Sequence, residues 1–80
     1  MQDRQIAVSG DWALASDGIQ WIVQRKKGSK WRGVSFVRSD RDIVARCLRE
    51  KGADMACIAQ LLSGLPDTFD QWKTLHDASN

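Results

Sequence analysis

The sequence has one histidine, one proline, one glutamate and no tyrosine. His76 has no serine or cysteine partner at a telling spacing, so a nucleophile–base couple is not to be expected. It reads instead as a helix-end residue beside the negative pole of the dipole. Nearly all the carboxylates are aspartates at turns or helix starts, where capping accounts for them. Paired acid–base carboxylates would also need a cleft that 80 residues hardly form. The two cysteines, Cys47 and Cys57, fall inside helical apolar patterns and read as reduced core residues, not as a disulfide. Zinc needs its ligands close together, and Cys47, Cys57 and His76 fall on three different expected helices. No glycine-rich phosphate loop follows a strand, because Gly28 belongs to a turn. Catalysis, a cofactor, a bound metal and a small-molecule substrate are therefore not expected. No apolar run approaches the length of a membrane span, and Met1-Gln2-Asp3-Arg4 lacks the pattern of a signal peptide. The expectation is a soluble, cytoplasmic chain with no membrane partner.

What the chain does have is tryptophan and a segregated charge. Four tryptophans and two phenylalanines supply much of what a single domain of this size can bury. The net charge of +2 conceals a split. From Arg25 to Lys51, ten Lys/Arg face only Asp40, Asp42 and Glu50, a balance of +7. The remaining residues set Arg4 and Lys73 against seven aspartates, a balance of −5. Such asymmetry marks a face built for an anionic partner. Its centre is Arg25-Lys26-Lys27-Gly28-Ser29-Lys30-Trp31-Arg32, where Gly28-Ser29 separates two basic arms.

The flanking residues predict how that stretch is held. Trp12 and Leu14 alternate with Ala13 and Ala15 before Asp17-Gly18, a pair that favours a two-residue hairpin turn. Centred there, the turn pairs Leu14 with Trp21 and Trp12 with Val23. Gly28-Ser29 suits a type II′ turn, which pairs Val23 with Val34, Trp21 with Phe36, Arg25 with Arg32 and Lys26 with Trp31. One apolar face then runs through Trp12, Leu14, Trp21, Val23, Val34 and Phe36. The other, with Ala13, Ala15, Ile22, Gln24, Trp31, Ser35 and Val37, is expected to be largely solvated. Trp31 is expected either as a stacking ring or as a cover over Ile22, and Trp72 as core.

Beyond Arg38 the period lengthens from 2 to 3.6. Ser39 is the expected N-cap of a helix carrying Ile43, Val44, Cys47 and Leu48, ended by Gly52. A second helix starts near Asp54 with Met55, Ile58, Ala59 and Leu62 inward. A third starts at an Asp67 cap, with Phe69, Trp72 and either Leu75 or His76 inward. The expected fold is α+β in a single domain of residues 1–80. Residues 1–10 form a frayed arm or short edge strand, 11–38 a three-stranded antiparallel meander, and 39–78 two to three short helices packed on one face. The meander's first strand is expected as an open edge, leaving monomer and dimer both open.

On these residues the candidate partner-binding set is Arg25, Lys26, Lys27, Lys30, Trp31 and Arg32, extended by Arg38, Arg41, Arg46 and Arg49. Phosphate backbones attract such surfaces and an aromatic adds stacking. Arginine and tryptophan are equally hot-spot residues against acidic protein. The blocks Asp17-Gly18-Ile19-Gln20-Trp21, Val34-Ser35-Phe36-Val37-Arg38 and Gly64-Leu65-Pro66-Asp67-Thr68-Phe69-Asp70-Gln71-Trp72 resemble small alphaproteobacterial and mobile-element proteins. Size and style are similar to anti-CRISPR proteins, particularly inhibitors of type I systems. That resemblance implies a non-enzymatic inhibitor that binds the CRISPR surveillance complex, Cascade, and blocks target-DNA recruitment. Many such inhibitors are acidic DNA mimics, whereas this chain presents a basic face. The alternative is a basic nucleic-acid-binding module or small regulator using the same hairpin.

Overall fold

The computed structural model describes residues 4–77, with side chains through residue 75. Strands β1 (Arg4–Ser9), β2 (Trp12–Ser16), β3 (Trp21–Lys27) and β4 (Lys30–Val37) precede helices α1 (Arg41–Glu50), α2 (Met55–Leu62) and α3 (Phe69–Asp77). The strands form one antiparallel sheet in the order β1-β2-β3-β4. The α+β class holds, but the sheet has four strands rather than three. Residues 4–9 are a paired edge strand and not a frayed arm; residues 1–3 lie outside the described part. The expected open edge on the meander's first strand is thereby covered, and the edges are β1 and β4.

The first hairpin departs from the expected register by two residues. Ser16 pairs with Trp21, Leu14 with Val23 and Trp12 with Arg25. The cause is Asp17, whose side chain accepts the Ile19 and Gln20 N–H groups at 3.0 and 3.1 Å. This local bonding stretches the connection to Asp17–Gln20. A shift of two preserves which face each side chain takes.

The second hairpin keeps the expected pairs at its tip: Arg25 with Arg32 and Lys26 with Trp31. Gly28 supplies the positive φ of 64° that the turn requires, with no positive φ at Ser29. Further in, a bulge between Val23 and Gln24 places an extra residue, Val34, on β4. Val23 then faces Ser35, Ile22 faces Phe36 and Trp21 faces Val37. This one-residue slip inverts the end of β4. Val37, expected outside, is buried in the core, and Phe36, expected inside, is 59% exposed.

The core lies between one sheet face and the helices. Trp12, Leu14, Trp21, Val23 and Val37 pack with Val44 and Leu48 of α1, Cys57 and Leu61 of α2, and Phe69 and Trp72 of α3. Each large apolar side chain so buried contributes about 1.5–3 kcal/mol. Trp21 meets Phe69 edge-on at 5.4 Å, and Phe69 stacks on Trp72 at 5.6 Å. Trp72 is thus core, as expected. Cys47 and Cys57 are free thiols. On α2 the buried pair is Cys57 and Leu61, while Met55 is 76% exposed and Ala59 is exposed. Leu75 is exposed, and the His76 side chain lies outside the described residues.

Aspartates start the first two helices. Asp40, not Ser39, caps α1 by accepting the Ile43 N–H at 3.1 Å, and Asp54 caps α2 through the Cys57 N–H at 2.7 Å. α1 ends as expected at Gly52, whose φ of 104° lets the Gly52 and Ala53 N–H groups reach the Arg49 and Leu48 carbonyls. The cap of α3 is Thr68 rather than Asp67. The Gln71 N–H donates to Thr68 Oγ1 at 3.1 Å, while the Thr68 N–H donates to Gln71 Oε1 at 3.2 Å. This reciprocal pair is a capping box.

Candidate binding surface

The β3–β4 hairpin projects beyond the rest of the sheet. Pairing between β2 and β3 stops at Trp12–Arg25, sealed by the Lys26 N–H donating to the Asp11 carbonyl at 2.7 Å. β3 and β4 continue through Lys26–Trp31 and Lys27–Lys30. Arg25, Lys26, Lys27, Lys30 and Arg32 are all exposed, and Trp31 is half-buried.

The tip's two sides differ. Towards the helices, Arg25 and Arg32 stand opposite one another, which costs energy between like charges. The Arg25 guanidinium lies 5.0 Å from the Trp12 ring centroid, and that cation–π contact relieves part of the cost. On the other side Lys26 Nζ lies 5.9 Å from the Trp31 centroid. An open hollow of about 510 Å³ is bounded by Arg25, Lys26, Lys27, Gly28, Arg32 and Val34. Four of those six are cations and none is a carboxylate. An anion seated there would offset the Arg25–Arg32 repulsion.

The remaining arginines divide. α1 packs on β3 and β4, so its exposed Arg46 and Arg49 belong to the same half of the molecule as the hairpin. Arg38, just past β4, is exposed too. Arg41, half-exposed, is engaged by other parts of the fold. Its Nη1 donates to the Leu65 carbonyl at 3.1 Å, and its Nε lies 4.0 Å from Asp67 Oδ1. Backbone bonds from Arg41 to Asp67 and from Phe69 to Ser39, both 2.9 Å, tie the same two segments. Arg41 therefore holds the start of α1 to that of α3.

None of the described helices packs on the second sheet face. It is not simply solvated: Ala13, Ala15, Ile22 and Gln24 are buried there. The Gln5 amide donates to Gln24 Oε1 at 3.0 Å across this face. Phe36 stands opposite Ile22 in the register. A Cβ placed on Gly33 would stand 3.1 Å from Ile22 Cγ2 and 3.2 Å from Phe36 Cζ, so the Phe36 ring leans back over Gly33. Phe36 escaped the candidate set because the alternation of Val34 and Phe36 pointed it inward; only the bulge reverses it.

Other hollows hold different chemistry. One of about 640 Å³ is lined by Pro66, Asp67, Asp70, Gln71, Thr74 and Leu75, with two carboxylates and no cation. It is shallow and lies far along the chain from the basic tip, so the hairpin hollow is the one that suits an anion. Among the described residues no three His, Cys, Asp or Glu side chains converge as metal ligands would, and no helix is long and apolar enough to cross a membrane. No protein-family model, curated protein sequence or solved structure matches the chain.

Proposed function

We propose that this chain is a small non-enzymatic inhibitor of anti-CRISPR type, acting in the bacterial cytoplasm on Cascade and blocking target-DNA recruitment by occlusion. The observation that supports docking is the projecting hairpin, with Arg25, Lys26, Lys27 and Arg32 around a hollow free of carboxylates. Buried cation–carboxylate or cation–phosphate pairs at such a tip act as hot spots, whereas rim charges mainly steer. Arg38, Arg46 and Arg49 fit the steering role. The choice of Cascade comes from the resemblance of the three sequence blocks, and either acidic subunit surface or exposed guide-RNA backbone suits the tip. Co-elution of the purified chain with a type I Cascade tests it. Reversing Arg25, Lys27 and Arg32 together to Glu is expected to lower Cascade affinity at least about 100-fold. Unchanged co-elution of that folded variant removes the hairpin from the interface.

A second reading, a nucleic-acid-binding module, is favoured by the half-buried Trp31 beneath Lys26 on a sheet face that none of the described helices covers. Gel shifts of the isolated protein across salt concentration separate the two. Steeply salt-dependent oligonucleotide binding supports this reading, and silence followed by Cascade capture supports the inhibitor.

A further inference from the structure

We infer that the face of β3 and β4 turned away from the described helices binds single-stranded nucleic acid, with Phe36 and Trp31 as stacking rings. The inference deepens the nucleic-acid reading of the hairpin and adds a surface to it. A single exposed phenylalanine needs no explanation, whereas exposed rings gathered on one strip mark a binding surface. Here it is not isolated. Trp31, Gly33 and Phe36 share the outer side of β4, an edge strand. The Phe36 ring lies over Gly33, which has no side chain to lift it or to separate it from Trp31. The result is a strip of ring, glycine and ring, floored by Ile22 and the Gln5–Gln24 amide pair.

Charge decides the occupant. The sheet residues of this face are Gln5, Val8, Ala13, Ala15, Ile22, Gln24, Lys26, Trp31, Gly33 and Phe36, and none is a carboxylate. The Lys26 ammonium lies 5.9 Å from the Trp31 ring centroid, and Lys27 and Lys30 continue the positive field at the tip. A basic groove beside aromatic platforms is the requirement for unpaired bases on a charged backbone, because every base has a π-face. A duplex hides those faces in its stack, so the same strip gains nothing from it. An acidic protein surface would use the lysines but leave Phe36 and the strip beside it without a matching partner.

Fluorescence anisotropy with a labelled oligothymidylate about 12 nucleotides long tests this. The folded wild-type chain is expected to bind it, and to bind a duplex of equal length more weakly. Phe36→Leu retains an apolar side chain opposite Ile22 but removes the π-face. It is expected to weaken oligothymidylate binding about 5- to 100-fold, as is Trp31→Leu. The slope of log affinity against log salt should not change for either, since no phosphate contact is lost. Circular dichroism and melting curves establish that each variant is folded. Wild-type affinity in folded Phe36→Leu overturns the inference, as does failure of the wild-type chain to bind the oligonucleotide. A dimer that Phe36→Leu converts to monomer in sedimentation also overturns it, since a second copy then covers the face. If the wild-type chain does not bind oligothymidylate yet is captured by Cascade through Arg25, Lys27 and Arg32, the inference falls and the inhibitor reading stands alone.

Discussion

The Asp17 carboxylate is the best-satisfied acid on the surface. Backbone bonding from Ile19 and the Gln20 side-chain amide, each at 3.0 Å, hold its carboxyl below the ordinary value of 3.8. A depressed folded value means that the carboxylate stabilises the fold above its unfolded value and loses that contribution as pH falls through the folded one. Stability should thus decline on acidification below 3.8, modestly, because the group is solvent-accessible. Asp17→Asn keeps an acceptor for the Ile19 N–H and removes the titration. Urea midpoints measured on the acid side should fall less steeply for Asp17→Asn than for wild type, and parallel slopes would refute the assignment. The same residue explains why Asp17-Gly18 was legible as a turn while its length was not. Turn pairs are read from two residues, whereas the side chain of Asp17 recruits Ile19 and Gln20 as well. Likewise the tip register around Gly28-Ser29 was legible, because glycine at that position and two basic arms leave one solution. Phe36 was not legible, since Val34, Phe36 and Val37 fit either parity and only packing chooses.

Among the elements, the helix starts show which signals travel from sequence to structure. Asp54 caps α2 as its position before an apolar run indicates. At α1 the cap moves one residue, from Ser39 to Asp40, because the Ser39 carbonyl is taken by the Phe69 N–H and Asp40 pairs with Thr68 in an isolated bridge. At α3 the same bridge fixes Thr68 as the residue before the helix, so Thr68 and Gln71 form a capping box in place of the expected Asp67 cap. The Thr-x-x-Gln spacing was present in the sequence and was outweighed by the neighbouring aspartates. Thr68→Ala deletes the acceptor for the Gln71 N–H and should cost about 1 kcal/mol in chemical denaturation. Asp67→Ala, whose ion pair with Arg41 is long and exposed, should cost no more than a few tenths. The reverse order would return the cap to Asp67. The cost of misplacing α3 is larger than a lost cap, since Phe69 connects Trp21 to Trp72 through the core. Trp21 also keeps its indole Nε1 buried with no hydrogen-bond partner, so its own place in the core rests on packing.

Across the whole molecule, the basic stretch of the chain is gathered in space. α1 covers β3 and β4, and α2 covers β1 and β2. The basic residues of hairpin and α1 therefore share one half, and Asp11 and Asp54 border a hollow beside it with Trp12 and Cys57. The protein measures 34 × 25 × 17 Å, so its two halves lie well within reach of a single extended ligand. Under the proposed function Arg46 and Arg49 act as long-range attractors and the hairpin as the point of contact. Arg41 contributes less, being bonded to Leu65 and Asp67. Steering charges change the association rate and contact charges the dissociation rate. Arg46→Glu with Arg49→Glu should slow association with the oligothymidylate probe about tenfold at low salt, leave dissociation unchanged, and lose its effect as salt rises. Lys26→Glu at the tip should instead speed dissociation. Stopped-flow mixing at several salt concentrations separates the two rates. If the α1 pair speeds dissociation as Lys26→Glu does, the ligand reaches the helix, and the binding surface wraps the β4 edge from one face of the sheet to the other.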